Sequence, residues 1–185
     1  MINFESAPLQ VVRSVTQRGL AIHWQRLKRG RSLPRLSEFH PEERMHDSRN
    51  FAVVRVITLG GRNRFRVIRQ GSWITEAYNA DWVGKYLDAA LPEVNRKAVL
   101  AAFDQCVATG RMIYMMATTT DCQGRPVTVE RLLLPLAGDG SAVEFVAVSL
   151  QLISIEGAFM QRNILGASRS RLDYSVSVKI EMSST

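Results

Sequence analysis

Between residues 111 and 153 the chain carries three apolar, β-branched runs parted by two short turns, and few folds accommodate that arrangement. The runs are Arg111 to Thr120, Pro126 to Leu136 and Val143 to Ile153, and the turns are Asp121-Cys122-Gln123-Gly124 and Gly138-Asp139-Gly140-Ser141. Connections this short join antiparallel neighbours, because a parallel pair needs a long crossover. In the last run Val143, Phe145 and Ala147 alternate with Glu144, Val146 and Val148, the period of two that a strand imposes. An antiparallel meander is therefore the frame on which everything else has to pack.

Upstream, Phe51 to Leu59 is rich in β-branched residues and ends at Gly60-Gly61-Arg62-Asn63, after which Arg64 to Gln70 alternates again. Two such runs around a glycine-containing loop predict a hairpin. From Gly71 to Pro92 the apolar residues Trp73, Ile74, Tyr78, Trp82, Val83, Tyr86 and Leu87 are interrupted by Gly71, Asn79 and Gly84, so short helices and turns are expected. Pro92 opens a longer helix with Val99, Phe103, Cys106 and Val107 on one face and Gly110 just past its end as a C-cap.

Near the N-terminus Leu20, Trp24 and Leu27 follow i, i+4, i+7 spacing, one narrow helical stripe that Gly30 and Pro34 terminate. Leu9, Val12, Val15 and Thr16 roughly continue that pattern upstream, with Gly19 weakening an unbroken helix. Ser32 to Asn50 reads as a connecting loop. After Ile155 the chain turns polar, with a faint strand-like alternation at Tyr174 to Ile180. The expected organisation is an N-terminal helix and loop over 1–50, a domain over 51–155, and a tail of unassigned order over 156–185.

Composition narrows the function classes more than it names one. With 185 residues, 46% hydrophobic and 22% charged, the chain is an ordinary globular domain with extensions. No run approaches a membrane span: even Val143 to Ile153 holds Glu144, Ser149 and Gln151. The opening Met-Ile-Asn-Phe-Glu-Ser-Ala-Pro has neither a basic start nor an apolar block, so a cytoplasmic location is expected. Cys106 and Cys122 form no Cys-x-x-Cys pair, which removes the signal for a zinc ribbon or a thioredoxin-like site. His23, His40 and His46 are scattered ahead of the strands, without the paired spacing that zinc requires, and a surface role or pairing with a neighbour, Glu42 or Asp47, is expected for them. No Gly-x-Ser-x-Gly elbow and no phosphate-cradling glycine loop occur. Asp81, Asp88 and Asp104 are the carboxylates nearest the helical segment, with Asp104 expected in solvent. Neither a metal nor a catalytic residue is therefore expected.

Lys plus Arg exceed Asp plus Glu by 24 − 17 = +7. The charge is bunched in Arg26, Lys28, Arg29 and Arg31 and again in Arg62, Arg64, Arg66 and Arg69. Such clusters suit a phosphate backbone, so a basic nucleic-acid-binding protein stands as the alternative reading. A solvated face is the simpler account, because no helix-turn-helix or RNP signature accompanies the charge.

Two strands, short helices, one longer helix and three strands is the order of a PAS domain. Four segments strengthen the likeness. His23-Trp24-Gln25-Arg26-Leu27-Lys28-Arg29-Gly30-Arg31-Ser32-Leu33-Pro34 resembles the W-x-x-L-x-x-G-R-x-L-P helix that opens a bacterial single-PAS family common in alphaproteobacteria. Phe65 to Ile74 resembles that family's strand-to-helix stretch, Asn79 to Leu87 its g-x-D-L-T-G-K-x-L segment, and Leu132 to Leu136 with Asp139-Gly140 its L-L-P-L-x-x-D-G turn. The likeness spans about residues 17 to 153, and departs from the pattern at Trp73, Trp82 and Val83.

The resemblance implies an α+β fold: a five-stranded antiparallel sheet, short helices and one longer helix on one face, preceded by an N-terminal helix. It implies a stand-alone sensor or interaction module in signalling, non-catalytic, with no room for a kinase, cyclase or DNA-binding output domain. A partner protein, a second copy, or both would then take the signal. Trp73, Tyr78, Trp82, Phe103 and Met116 fall in the segments that enclose a PAS cleft, where they either fill the core or border a site for a small apolar ligand. Haem is not expected, since no histidine falls on the cleft segments, and a flavin-reactive cysteine is missing from Tyr78 to Trp82. A homodimer is expected through Leu20, Trp24 and Leu27, a stripe outside the sheet-and-helix core.

Overall fold

In the computed structural model, which describes residues 4–40, 48–154, 157–166 and 171–182, one mixed sheet of seven strands forms the middle layer. In chain order the strands are β1 (Glu5–Pro8), β2 (Phe51–Leu59), β3 (Arg62–Gln70), β4 (Ile113–Thr120), β5 (Pro126–Leu136), β6 (Phe145–Ile153) and β7 (Asp173–Glu181). Across the sheet they lie β1-β7-β4-β5-β6-β2-β3. The helices are α1 (Val15–Leu27), α2 (Ser72–Tyr78), α3 (Leu87–Ala90) and α4 (Glu93–Thr109).

Five of the strands are the predicted ones, and both turns of the meander stand where the sequence marks them. The β2–β3 turn is tighter than expected: Gly60 and Gly61, at φ 56° and 76°, make it alone, so β3 begins at Arg62. Two successive left-handed residues match the twist of a hairpin, and only glycine adopts them freely. The helix α4 also matches, running from an N-cap at Pro92 to Gly110 at φ 61°.

The sheet has two strands more than expected, both from the extensions. Strand β7 pairs antiparallel with β4, matching Tyr114 to Val178, and β1 pairs parallel with β7. Residues 173–181, placed in the tail but carrying the faint alternation at Tyr174 to Ile180, are thus a strand, and β1 alongside it makes the sheet mixed. The free edge of β4 supplies the reason, since its unpaired N–H and C=O groups are a template for any nearby strand. The described part of 157–166 is ordered too. The Asn163 and Leu165 N–H groups donate to the carbonyls of Glu76 and Ala77, both at 2.7 Å, so this segment satisfies the C-terminal end of α2. Gly166 passes so close that a Cβ there would lie 2.1 Å from the Tyr78 carbonyl oxygen.

Strand alternation divides the core into two layers. Ala52, Val54, Ile113, Met115, Leu133 and Val148 face α2, α3 and α4. Phe51, Val53, Tyr114, Met116, Leu132 and Leu134 face α1 and the segments around it. Ser14 caps α1, its hydroxyl accepting from the Gln17 N–H at 3.2 Å. Gln17 itself is fully buried and donates to the Ser149 carbonyl of β6 at 3.0 Å and the Glu130 carbonyl of β5 at 3.3 Å. The stretch before α1 departs from the expected helix: Leu9–Val11 is a single 3-10 turn, and Val15 is 75% exposed.

Candidate functional site

A cavity of about 50 Å³ lies between the helical layer and the sheet. Val54, Val148 and Leu150 form its floor, Ile74 and Tyr78 enter from α2, and Val99 and Phe103 from α4. Trp82 closes it beside Tyr78, their ring centres 4.3 Å apart. Phe103 is braced from behind by Phe65 at 5.0 Å. The loop that carries Trp82 is held by Gln70 of β3, whose amide donates to Ala80 O at 2.8 Å and accepts from the Trp82 N–H at 3.2 Å. Outside this wall a larger groove of about 640 Å³ shares Tyr78 and Trp82 with the cavity and continues along Ala90, Glu93 and Val94.

Among the described residues that line the cavity, one is charged. Arg131 of β5 is 4% exposed and points to the helical side, while Glu130, one residue earlier, faces the other layer and accepts from the Ser14 N–H at 3.1 Å. The guanidinium donates to the phenol oxygens of Tyr78 at 3.1 Å and Tyr174 at 3.3 Å. Burial holds the Tyr78 phenol above its ordinary pKa against the pull of the Arg131 charge, so it is neutral at pH 7. Sequence reading missed Arg131, because a Glu130-Arg131 pair inside a mostly apolar strand carries no sign of which residue joins which layer.

Of the five cleft candidates, the structure brings together Tyr78, Trp82 and Phe103. Trp73 does not line the cavity: it borders a separate void of about 20 Å³ beside Ile74 and Leu150, with the Arg49 guanidinium 4.4 Å above its ring. Met116 is in the opposite layer; its neighbour Met115 has the parity that faces the helices. Both corrections have one cause: a side chain's element can be read from sequence, but not the side of that element which meets the void.

The stripe expected at a dimer contact is also placed differently. Leu20 and Trp24 are 2% and 3% exposed within the single chain, packed with partly buried Leu27 against the sheet. The apolar stripe on α1 is thus consumed by the chain's own β-layer, which offers an apolar second face that the expected architecture did not include.

The remaining titratable groups sit away from the cavity. Cys106 is buried on α4, where burial pushes its thiol up, and Cys122 is exposed in a turn. The His23 ring packs 5.8 Å from Phe39, His40 is exposed, and His46 with Glu42 and Asp47 lies outside the described residues. Asp88 pairs with Arg64 at 2.9 Å, Asp81 caps its own turn, and Asp104 is exposed. Among the described residues no three His, Cys, Asp or Glu side chains gather as a metal site.

Part of the basic surface is committed within the chain. Arg31 pairs with Glu38, Arg64 lies 3.9 Å over the Tyr86 ring as well as against Asp88, and Arg66 donates to the Gly84 carbonyl at 3.0 Å. The nucleic-acid alternative gains no support from this geometry. No helix among the described residues is long and apolar enough to cross a membrane.

A family model described as PAS domain matches residues 12–149. No curated protein matches the chain. Among solved structures, the crystal structure of the PAS domain of a protein from Colwellia psychrerythraea is similar, with 10% identity and a TM-score of 0.42 over 62% of this chain and 98% of that one.

Proposed function

This chain belongs to the PAS domain family, and from that membership we propose that it is a cytoplasmic, non-catalytic signalling module that senses a small molecule and reports by contact with another protein or a second copy. The observation that carries the reading is the cavity between α2, α4 and the sheet, walled by Tyr78, Trp82 and Phe103. Its wall is mostly apolar with few polar groups, the pattern of a small-molecule site. Among the described residues that line it there is no histidine, thiol or carboxylate, so it holds a ligand without a group to transform it, and the reading includes neither haem nor flavin. Output by contact needs a surface other than the stripe on α1, which is already buried. The narrower assignment to the alphaproteobacterial single-PAS proteins rests on the segment His23 to Pro34.

Native mass spectrometry of the freshly purified chain tests both halves. A small mass retained at stoichiometric ratio, released on unfolding, is the expected result. A bare chain that stays bare across a panel of small apolar and acidic compounds would remove the sensing role, and a Soret or flavin absorbance band would overturn the cofactor reading.

A further inference from the structure

We propose that the cavity is a receptor site for a small monocarboxylate, with the carboxylate seated on Arg131 and its hydrocarbon part against Ile74, Trp82, Phe103 and Leu150. The inference rests on the ligand-binding reading above and names the ligand's class.

Arg131 is a buried charge with no carboxylate partner among the described residues. Arg131 is 4% exposed, and a guanidinium cannot shed its charge by losing a proton at any ordinary pH. Its hydrogen-bond partners are two phenols, and no carboxylate among the described residues lies within ion-pair distance of it. A buried charge without a counter-ion is expensive, and apolar replacements of buried ion groups are often neutral or stabilising, so folding alone gives no reason to keep an arginine here. A ligand that brings the negative charge supplies the reason.

The geometry selects the class of anion. The guanidinium fork presents parallel N–H groups that match the two oxygens of a carboxylate. Tyr78 adds a donor, since its hydroxyl oxygen accepts from Arg131 and its own proton finds no acceptor among the described residues. With one cation in the wall, charge balance calls for a monoanion and disfavours a phosphate dianion. The rest of the wall is hydrocarbon, which calls for an apolar body, and a volume of about 50 Å³ limits that body to a few carbons. Tyr78 and Trp82 also line the outer groove, so the same two rings that close the cavity stand on the route into it.

Isothermal titration of the full chain with butyrate and with butyramide, matched in shape and differing in charge, tests the proposal. Butyrate is expected to bind about tenfold or more tighter than butyramide, the margin of a charge-assisted bidentate pair over a neutral one. Arg131→Met is expected to erase that preference, and Arg131→Lys, which keeps the charge without the fork, to retain part of it. Should Arg131→Met fail to fold, the Lys variant and the thermal shift of the parent chain carry the test, butyrate raising Tm and butyramide leaving it unchanged. Equal affinity for the two compounds, or full butyrate affinity in Arg131→Met, overturns the carboxylate site and leaves ligand sensing intact. No binding of either, with a bare chain in the native spectrum, overturns both.

Discussion

The indole N–H of Trp24 donates to the main-chain carbonyl of Pro135 at 2.6 Å, tying the N-terminal helix to the middle of the sheet. Proline leaves β5 without a ladder donor at that position, and its carbonyl takes a side-chain partner from the layer above. With Gln17, about two turns earlier on the same helix, bonded to β5 and β6, α1 is a structural layer of the domain and not an appendage.

Trp24→Ala is accordingly expected to destabilise the chain by about 3 to 5 kcal/mol, the range for emptying a large buried aromatic site. Chemical denaturation measures it. A variant of unchanged stability but altered subunit number would instead restore α1 as an interface between copies.

Phe103 packs on Phe65 on one side and borders the cavity on the other. Because part of its surface already meets a void, Phe103→Ala is expected to cost about 3 kcal/mol, the low end for removing a core phenylalanine. The enlarged cavity should shift ligand preference toward longer chains, which titration with a homologous series of acids reads directly.

Asp121 provides an acid-stability marker. Burial alone would raise its pKa, but the Arg125 guanidinium and the N–H groups of Arg125, Gln123 and Met160 outweigh that and hold it at about 2, below the ordinary value of 3.8. A depressed carboxylate stabilises the fold above its unfolded pKa, and the contribution is lost as pH falls through the folded one. Asp121→Asn should therefore be less stable than the parent at pH 7, and the gap between them should close as pH falls from about 4 toward about 2. A gap independent of pH, in denaturation curves taken across that window, would show that the charge is not what holds this turn.

A chain ending at Gly166 tests the seventh strand. It leaves the edge of β4 unpaired and uncovers the apolar positions that Leu172 and Ile180 now help to bury. Exposed edges pair with other chains, so this truncation should form higher oligomers and lose thermal stability. A monodisperse, fully stable product in size-exclusion chromatography would show that β7 is dispensable.

What was legible in the sequence was local. The two hairpins and the meander could be read because turn residues and a period of two act over neighbouring positions, and α4 because proline and glycine mark its ends. Tyr78, Trp82 and Phe103 could be assigned to the cleft because the segments that carry them follow from the order of elements, although that order did not separate Tyr78 from Trp73 on the same helix. Met116 could not, since β4 is buried on both faces and lacks the polar–apolar contrast that would separate Met115 from Met116. The segment 157–166 escaped for another reason: two backbone donors to α2 and only two buried apolar side chains, Ile164 and Leu165, hold it, too few to set a period.

By itself, then, the sequence determined the order and kind of most elements, since propensity, periodicity and turn chemistry reside in neighbouring residues. The tertiary structure alone decided which layer each apolar face joined, that β1 and β7 would extend the sheet, and that Arg131 would meet Tyr78 and Tyr174 beside a cavity. Those outcomes depend on burial and on partners far apart in the chain, where a hydrophobic face is satisfied by any apolar surface and only the packed geometry chooses among them.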